Sequence, residues 1–317
     1  MKITIIGAGG RMGSWFARYF YMRGHSIYLN DKDAHALQAL ASSLLNHGVG
    51  EESKRVTLLH RSILNADNGG GGVESIIDAI NNSNIVMLSL PMDVIPKAVD
   101  EVARYMHRGS VLVEIASLKH DVHKALRDVV ERYGIKPLSL HPLFGPGADV
   151  NATNRFVLIP VIDGRDEEGI AREILPNAKL VIVEDADEHD RIMAIVLGMV
   201  YAMNIAFADM LECKDIPLCK ELAGSTFTLQ SLIFEGILND DPRLFSSLLM
   251  NRHVKHYLKR FIASNEHLLS CIDADDKATL ERIYSNVRYK IAGCSDIEGS
   301  YRLMYRILRE INSKSAL

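Results

Sequence analysis

The chain has 317 residues, 48% of them hydrophobic and 24% charged, with a formal net charge of −4. That length accommodates two domains with separate cores, and the lack of a basic excess argues against a nucleic-acid partner. No apolar run approaches the roughly 20 residues that span a bilayer, and the first apolar segment begins at once, leaving no room for a signal or transit peptide; the reading is a cytoplasmic protein with no membrane partner.

The first strand is the run Ile3-Thr4-Ile5-Ile6. Gly7-Ala8-Gly9-Gly10-Arg11-Met12-Gly13 follow it and lead into a helical stretch over Ser14 to Phe20. A strand, a glycine turn and a helix N-terminus together make a pyrophosphate site, because the first turn of the helix offers unpaired N–H groups and partial positive charge. Glycines let the backbone turn tightly and approach the phosphates. Gly7, Gly9, Gly10, Arg11, Met12 and Gly13 are therefore the candidate cofactor-binding residues. A second strand, Ser26 to Asn30, ends at Asp31, an acid placed to accept hydrogen bonds from the adenine ribose hydroxyls. Asp31 would repel the 2′-phosphate of NADP and so favours NAD, while Lys32 beside it is the feature that would suit that phosphate.

A helix over Ala34 to Leu45 and a short strand at Thr57-Leu58-Leu59 come next. The run Gly69-Gly70-Gly71-Gly72 reads as a surface insertion. A helix over Val73 to Ala79 leads to the buried strand Ile85 to Leu90, closed by Pro91; Leu90 and Pro91 are counted with the cofactor-binding residues. Strands follow at Val111 to Ile115 and Leu138 to Leu140, with a helix over Asp121 to Tyr133 between them, then at Phe156 to Val161 and Leu180 to Val183. Short apolar strands separated by helices predict a parallel sheet covered on both faces. From about Asp187 strands stop. Ile192 to Met210 is apolar nearly all round and is expected to be a buried central helix, with further helices over 219–237, 242–263, 265–290 and 298–313. The fold class is α/β: a Rossmann-type, doubly wound, mostly parallel sheet over 1–185, then an all-helical domain over 186–317. So apolar a helical domain is expected to hold a homodimer together.

In a doubly wound sheet, ligands sit at the carboxyl ends of the strands. Ser117 and Lys119 follow the strand ending at Ile115, and His141 opens His141-Pro142-Leu143-Phe144-Gly145-Pro146-Gly147. An imidazole beside a nicotinamide can act as general base while hydride leaves an alcohol carbon. Ser117 could hold that imidazole or the nicotinamide amide; Lys119 is read as ordering the loop or meeting phosphate. His189 and Asp190 open a helix behind an acidic stretch, where capping accounts for Asp190 as well as function does. The four cysteines, Cys213, Cys219, Cys271 and Cys294, show no metal-ligand spacing, and no metal is expected.

Several of these segments resemble the prephenate and arogenate dehydrogenase family. They are the glycine turn with its following Ser-Trp-Phe, Glu114-Ile115-Ala116-Ser117-Leu118-Lys119, His141 to Pro146, Glu188-His189-Asp190-Arg191-Ile192-Met193-Ala194, and Asp241-Pro242-Arg243-Leu244-Phe245. The resemblance implies NAD-linked oxidation at the ring C4 hydroxyl of prephenate with loss of the ring carboxylate, giving 4-hydroxyphenylpyruvate in tyrosine biosynthesis. It implies that His141 accepts the hydroxyl proton, with Ser117 beside it. The chain departs from the family pattern in three places. Tyr201 stands where a second histidine is usual and is counted as substrate-binding, and Thr228 and Gly236 stand where two arginines would meet a substrate carboxylate. Arg155, Arg191, Arg243 and Arg252 are the candidate replacements. Arogenate is the alternative substrate. A β-hydroxyacid dehydrogenase is disfavoured because residues 189–211 lack lysine, and a non-catalytic NAD-binding protein with a degenerate pocket is the remaining alternative.

Overall fold

The computed structural model describes residues 1–45, 55–60 and 75–314. The glycine run at 69–72 lies outside them. The chain forms two compact units, Met1–Met193 and Ala194–Leu317.

The first unit alternates strand and helix: β1 (Lys2–Ile6), α1 (Arg11–Met22), β2 (Ser26–Asp31), α2 (Ala34–Leu45), β3 (Val56–His60), α3 (Ile76–Asn81), β4 (Ile85–Leu88), α4 (Ile95–Ala103), β5 (Val111–Glu114), α5 (His120–Tyr133), β6 (Lys136–Pro142), β7 (Arg155–Leu158), α6 (Gly164–Ile174), β8 (Lys179–Ile182) and α7 (Ala186–Met193). The strands make one sheet in the order β3-β2-β1-β4-β5-β6-β7-β8. All neighbours are parallel except β6 and β7. The order reverses between β1 and β4, so a crevice opens at their carboxyl ends.

Strand alternation builds two cores, one on each face. Ile5, Ile27, Leu29, Met87, Val113 and Phe156 pack with Trp15, Phe16 and Phe20 of α1. Ile6, Tyr28, Val86, Leu88 and Leu112 face the other way, against Ile80, Val99 and Leu126. The sheet is thus covered on both sides, as its apolar strands require. The β7 strand stops at Leu158, short of the expected Val161, because the chain turns at Pro160 towards α6. There the Asp163 side chain caps the helix, accepting from the N–H groups of Arg165 and Asp166. The helix expected over Val73 to Ala79 runs from Ile76, where Ser75 and Asp78 form a reciprocal capping box; residues 73 and 74 are outside the described set.

The second unit is helical: a π-helical segment Ala194–Met199, α8 (Val200–Asp209), α9 (Ile216–Glu221), α10 (Ser225–Leu238), α11 (Pro242–Leu249), α12 (Val254–Asp273), α13 (Lys277–Ala292) and α14 (Ile297–Lys314). Three expected boundaries differ. The 219–237 helix is broken before Gly224, the N-cap of α10. The 242–263 helix is broken after Leu249, where the Asn251 side chain accepts from the His253 N–H. The α12 helix runs on to Asp273, then turns at Asp275 (φ 49°) into α13, capped by Asp276. Apolar spacing continues across each break, so periodicity could not register them.

Two further expectations fail on the stretch Ala186–Asp209. Its charged residues cluster at the two ends, and the 24-residue helix is long and apolar enough, by length and composition, to cross a bilayer. It is not a buried central helix either: Ile195, Val196, Val200 and Met203 are 38–48% exposed. An apolar helix needs cover on every side, and the described residues of one copy of the chain leave this face uncovered.

Candidate active site

The glycine turn grows out of the β1–α1 connection. Gly7 has φ +84° and sits so close to β4 that a Cβ there would lie 2.1 Å from the Ser89 carbonyl. The Gly7 and Ala8 N–H groups both donate to the Asn30 carbonyl, at 2.8 and 2.9 Å. A Cβ on Gly13 would meet the Gly7 carbonyl at 2.1 Å, so α1 is seated against β1 as only glycine permits. The N-cap Gly10 has no capping side chain, and no acid occupies the first turn. These N–H groups are available to an anion. Arg11 is exposed, and Met12 is half-buried against the core.

The Asp31 carboxylate accepts from Gly9 N at 2.9 Å and from Asp33 N at 3.1 Å. It therefore ties the glycine turn to the end of β2, and two bonds leave lone pairs for further donors. Leu90 closes the opposite wall beside Gly7. Exposed Pro91 follows, with its carbonyl accepting from Val94 N at 2.9 Å. This cradle, its open helix terminus and its acid at the β2 end fit a dinucleotide.

His141 stands on the last residues of β6, on the same carboxyl edge. It is positioned by a clamp between β5 and β6. The Lys119 ammonium, wholly buried, donates to Glu114 Oε1 and to the Leu140 carbonyl, both at 2.7 Å. Ser139 Oγ also donates to Glu114 Oε1, and Ala116 N donates to its other oxygen at 2.8 Å. Lys119 thus orders the crest, tying β5 to β6. The loop beyond His141 is fixed from α1: Trp15 Nε1 donates to the Ala148 carbonyl at 2.8 Å, and Phe144 packs on the indole at 4.8 Å between centroids.

The imidazole of His141 lies 3.1 Å, Nδ1 to Nε2, from His189 on α7. His189 Nδ1 in turn donates to Asp190 Oδ1 at 2.9 Å. That carboxylate accepts the N–H groups of Lys119 and His120, at 2.8 and 3.0 Å, at the start of α5. Burial, then the Lys119 ammonium, then His189 hold the His141 pKa well below the ordinary histidine value. His141 is thus neutral, as a base must be. Its Nε2 has no partner among the described residues and is not sealed off. Ser117 is half-buried on the β5 crest, and its hydroxyl is likewise unbonded among the described residues.

The histidine-aspartate pair is what sequence reasoning missed: capping explained Asp190, and the capped helix proved to be α5, not its own. Tyr201, in the second unit, donates to Asp240 Oδ2 at 2.6 Å, so its proton is committed. Of the four candidate arginines, Arg243 is chelated by Asp241 at 2.7 Å. Arg191 lies 3.7 Å from Glu188, and Arg252 meets His253. Arg155, exposed at the head of β7, makes no ion pair among the described residues. No cluster of three or more His, Cys, Asp or Glu among the described residues is arranged to hold a metal.

Comparison with known proteins places this geometry. The family description "Prephenate dehydrogenase, nucleotide-binding domain" matches residues 60–168, and "Prephenate dehydrogenase, dimerization domain" matches 185–286. The chain is 24% identical, over its whole length, to a probable arogenate/prephenate dehydrogenase of Methanocaldococcus jannaschii, and spans 67% of that protein. It is 22% identical to the T-protein of Haemophilus influenzae, matching with 79% of its own length and 56% of the relative's. The fold is similar to that of A. aeolicus prephenate dehydrogenase, solved with hydroxyphenyl propionate and NAD+: TM-score 0.68, 17% identity, 93% of this chain and 98% of the other covered. The uncovered apolar face of residues 195–203 thus falls within a dimerization domain. With both domain types matched in order over more than half of its length, the chain belongs to the prephenate/arogenate dehydrogenase family.

Proposed function

We propose that the chain is an NAD-dependent prephenate dehydrogenase, oxidising the ring C4 hydroxyl and releasing the ring carboxylate as carbon dioxide to give 4-hydroxyphenylpyruvate. The observation that carries this reading is His141, whose Nε2 is unbonded among the described residues, on the same carboxyl edge of the sheet as the glycine turn. Gly7, Gly9, Gly10 and Gly13 would admit the pyrophosphate to the α1 terminus, and Asp31 would accept from the ribose hydroxyls, which favours NAD over NADP. NAD supplies the two-electron acceptor.

His141 Nε2 takes the C4 hydroxyl proton. Its depressed proton affinity keeps the lone pair available at neutral pH and makes the imidazolium short-lived. The Ser117 hydroxyl, unbonded among the described residues, donates to the substrate or to the nicotinamide amide. Aromatisation of the ring makes the outcome irreversible. Arg155 supplies the cation that a buried carboxylate needs, in place of arginines at Thr228 and Gly236. Arogenate carries an amine where prephenate carries a ketone and presents the same C4 centre; it is the second substrate to test. The functional particle is a homodimer through the helical domain, supported by the uncovered face at Ile195, Val196, Val200 and Met203.

The test is direct. Purified protein is incubated with NAD and either prephenate or arogenate while absorbance of the reduced cofactor is followed. Turnover with prephenate supports the proposal, and turnover with arogenate alone reassigns the substrate. Protein that binds NAD and turns over neither removes the reading in favour of a binding protein.

A further inference from the structure

His189 and Asp190 take no part in the chemistry outlined above, yet they are buried directly behind its base, at 1% and 4% exposure. Two imidazole nitrogens 3.1 Å apart can share only one proton, so one ring must donate and the other accept. What lies behind His189 decides which. Asp190 Oδ1 faces both Lys119 N and His189 Nδ1, and Oδ2 faces His120 N. Two backbone amides at a helix N-terminus make that carboxylate an acceptor in every direction. His189 must then carry its proton on Nδ1. Its Nε2 is a lone pair, and His141 must donate to it from Nδ1. The only nitrogen left with a lone pair on His141 is Nε2.

We infer that His189 is a positioning residue which, braced by Asp190, fixes the Nδ1–H tautomer of His141 and so keeps its Nε2 lone pair free for the substrate hydroxyl. The inference rests on the reading of His141 as base. The opposite tautomer would place a proton on Nε2 and leave nothing to accept with. The charged group that acts on His141 from the crest is Lys119, itself paired with Glu114. Lys119 spends its ammonium on Glu114 and on the Leu140 carbonyl, so neither competes for the bond between the rings. Second-neighbour orientation of a catalytic imidazole by a carboxylate is a recurrent device; here a second imidazole is interposed.

The test has two arms. In ligand-free protein labelled with nitrogen-15 in its histidines, the His141 resonances should report a proton on Nδ1 and a bare Nε2; a proton on Nε2 overturns the inference. This arm needs no turnover, so it stands even if the substrate assignment fails. In the second arm, His189→Leu removes the acceptor and His189→Gln restores one. The leucine variant should lose about tenfold to a hundredfold in kcat, with NAD affinity changed less than about threefold, and the glutamine variant should recover most of the loss. A leucine variant turning over at the parent rate, or a glutamine variant no better than leucine, overturns it. A purely structural role would lower thermal stability without moving the tautomer.

Discussion

Lys119 and Glu114 form an ion pair at 2.7 Å in which neither side chain is exposed at all. Burial alone pushes the ammonium toward its neutral form, and Glu114 opposes it. Removing one partner from such a pair strands the other charge in the interior. Lys119→Met should therefore cost about 3–5 kcal/mol in a urea melt. The double change Lys119→Met with Glu114→Gln should recover part of that, because no lone charge is left behind. The pair also holds the Leu140 carbonyl, so kcat should fall in the single variant beyond what its folded fraction explains.

The same ammonium is the second cause, after burial, of the low proton affinity of His141. A base depressed below its ordinary value of about 6.5 stays neutral further into acid. The acid limb of kcat/KM should lie below that value, and Lys119→Met should move it to higher pH. Stability has its own sign. His141, His123 and His25 are all depressed in the fold, chiefly by burial. Below about 6.5 the unfolded chain binds protons that the folded chain refuses, so the stability present above that pH is lost as pH falls towards the folded values. Thermal melts from pH 7.5 down to 5 should show Tm dropping, and a rise in Tm over that range would contradict the buried neutral rings.

The glycine turn predicts a sharp contrast between two similar substitutions. In Gly13→Ala the new methyl meets the Gly7 carbonyl carbon and oxygen at 2.9 and 2.1 Å. Both are backbone atoms, so α1 must move off β1, at a cost of about 1–3 kcal/mol, and NAD affinity measured by calorimetry should fall at least tenfold. Gly169→Ala, on an exposed turn of α6 with nothing within 4 Å, should instead gain about 0.5–1 kcal/mol from helix propensity. Equal effects at the two positions would mean that α1 is not seated as described.

The elements nearest the site were the most legible in sequence. Ile3 to Ile6, the glycines, Asp31 and the strand before Pro91 each state their local structure, because a buried parallel strand needs a continuous apolar run and a tight turn needs glycine. His141 was found because it follows such a strand. The breaks at Gly224, Asn251 and Asp275 were lost, since each is a local backbone event inside an apolar rhythm that continues on both sides. The pairing of His189 with His141, 48 positions apart in sequence, has no local signature. It exists only once α7 packs beside α5. The exposed face of Ile195 to Met203 was misread for a related reason: an apolar residue records that it will be covered, and says nothing about whether its own chain does the covering.

Arg155 offers the last prediction. Its backbone carbonyl accepts from Leu143 N at 2.9 Å, and β7 runs antiparallel to β6, with Val157 opposite His141. The head of β7 therefore lies on the same edge of the sheet as His141. Phe156 points into the core, so alternation turns Arg155 outward. A charged hydrogen bond to a carboxylate is worth about 1.5–3 kcal/mol, and each 1.4 kcal/mol is about tenfold in affinity. Arg155→Leu should thus raise KM for prephenate by about tenfold or more while kcat changes by no more than a few fold. On the proposed reading the guanidinium holds a substrate carboxylate away from the reacting centre. Affinity for NAD, measured without substrate, should stay within about twofold. A variant with unchanged KM would hand the carboxylate to another cation, and one that lost NAD binding would place Arg155 against the cofactor.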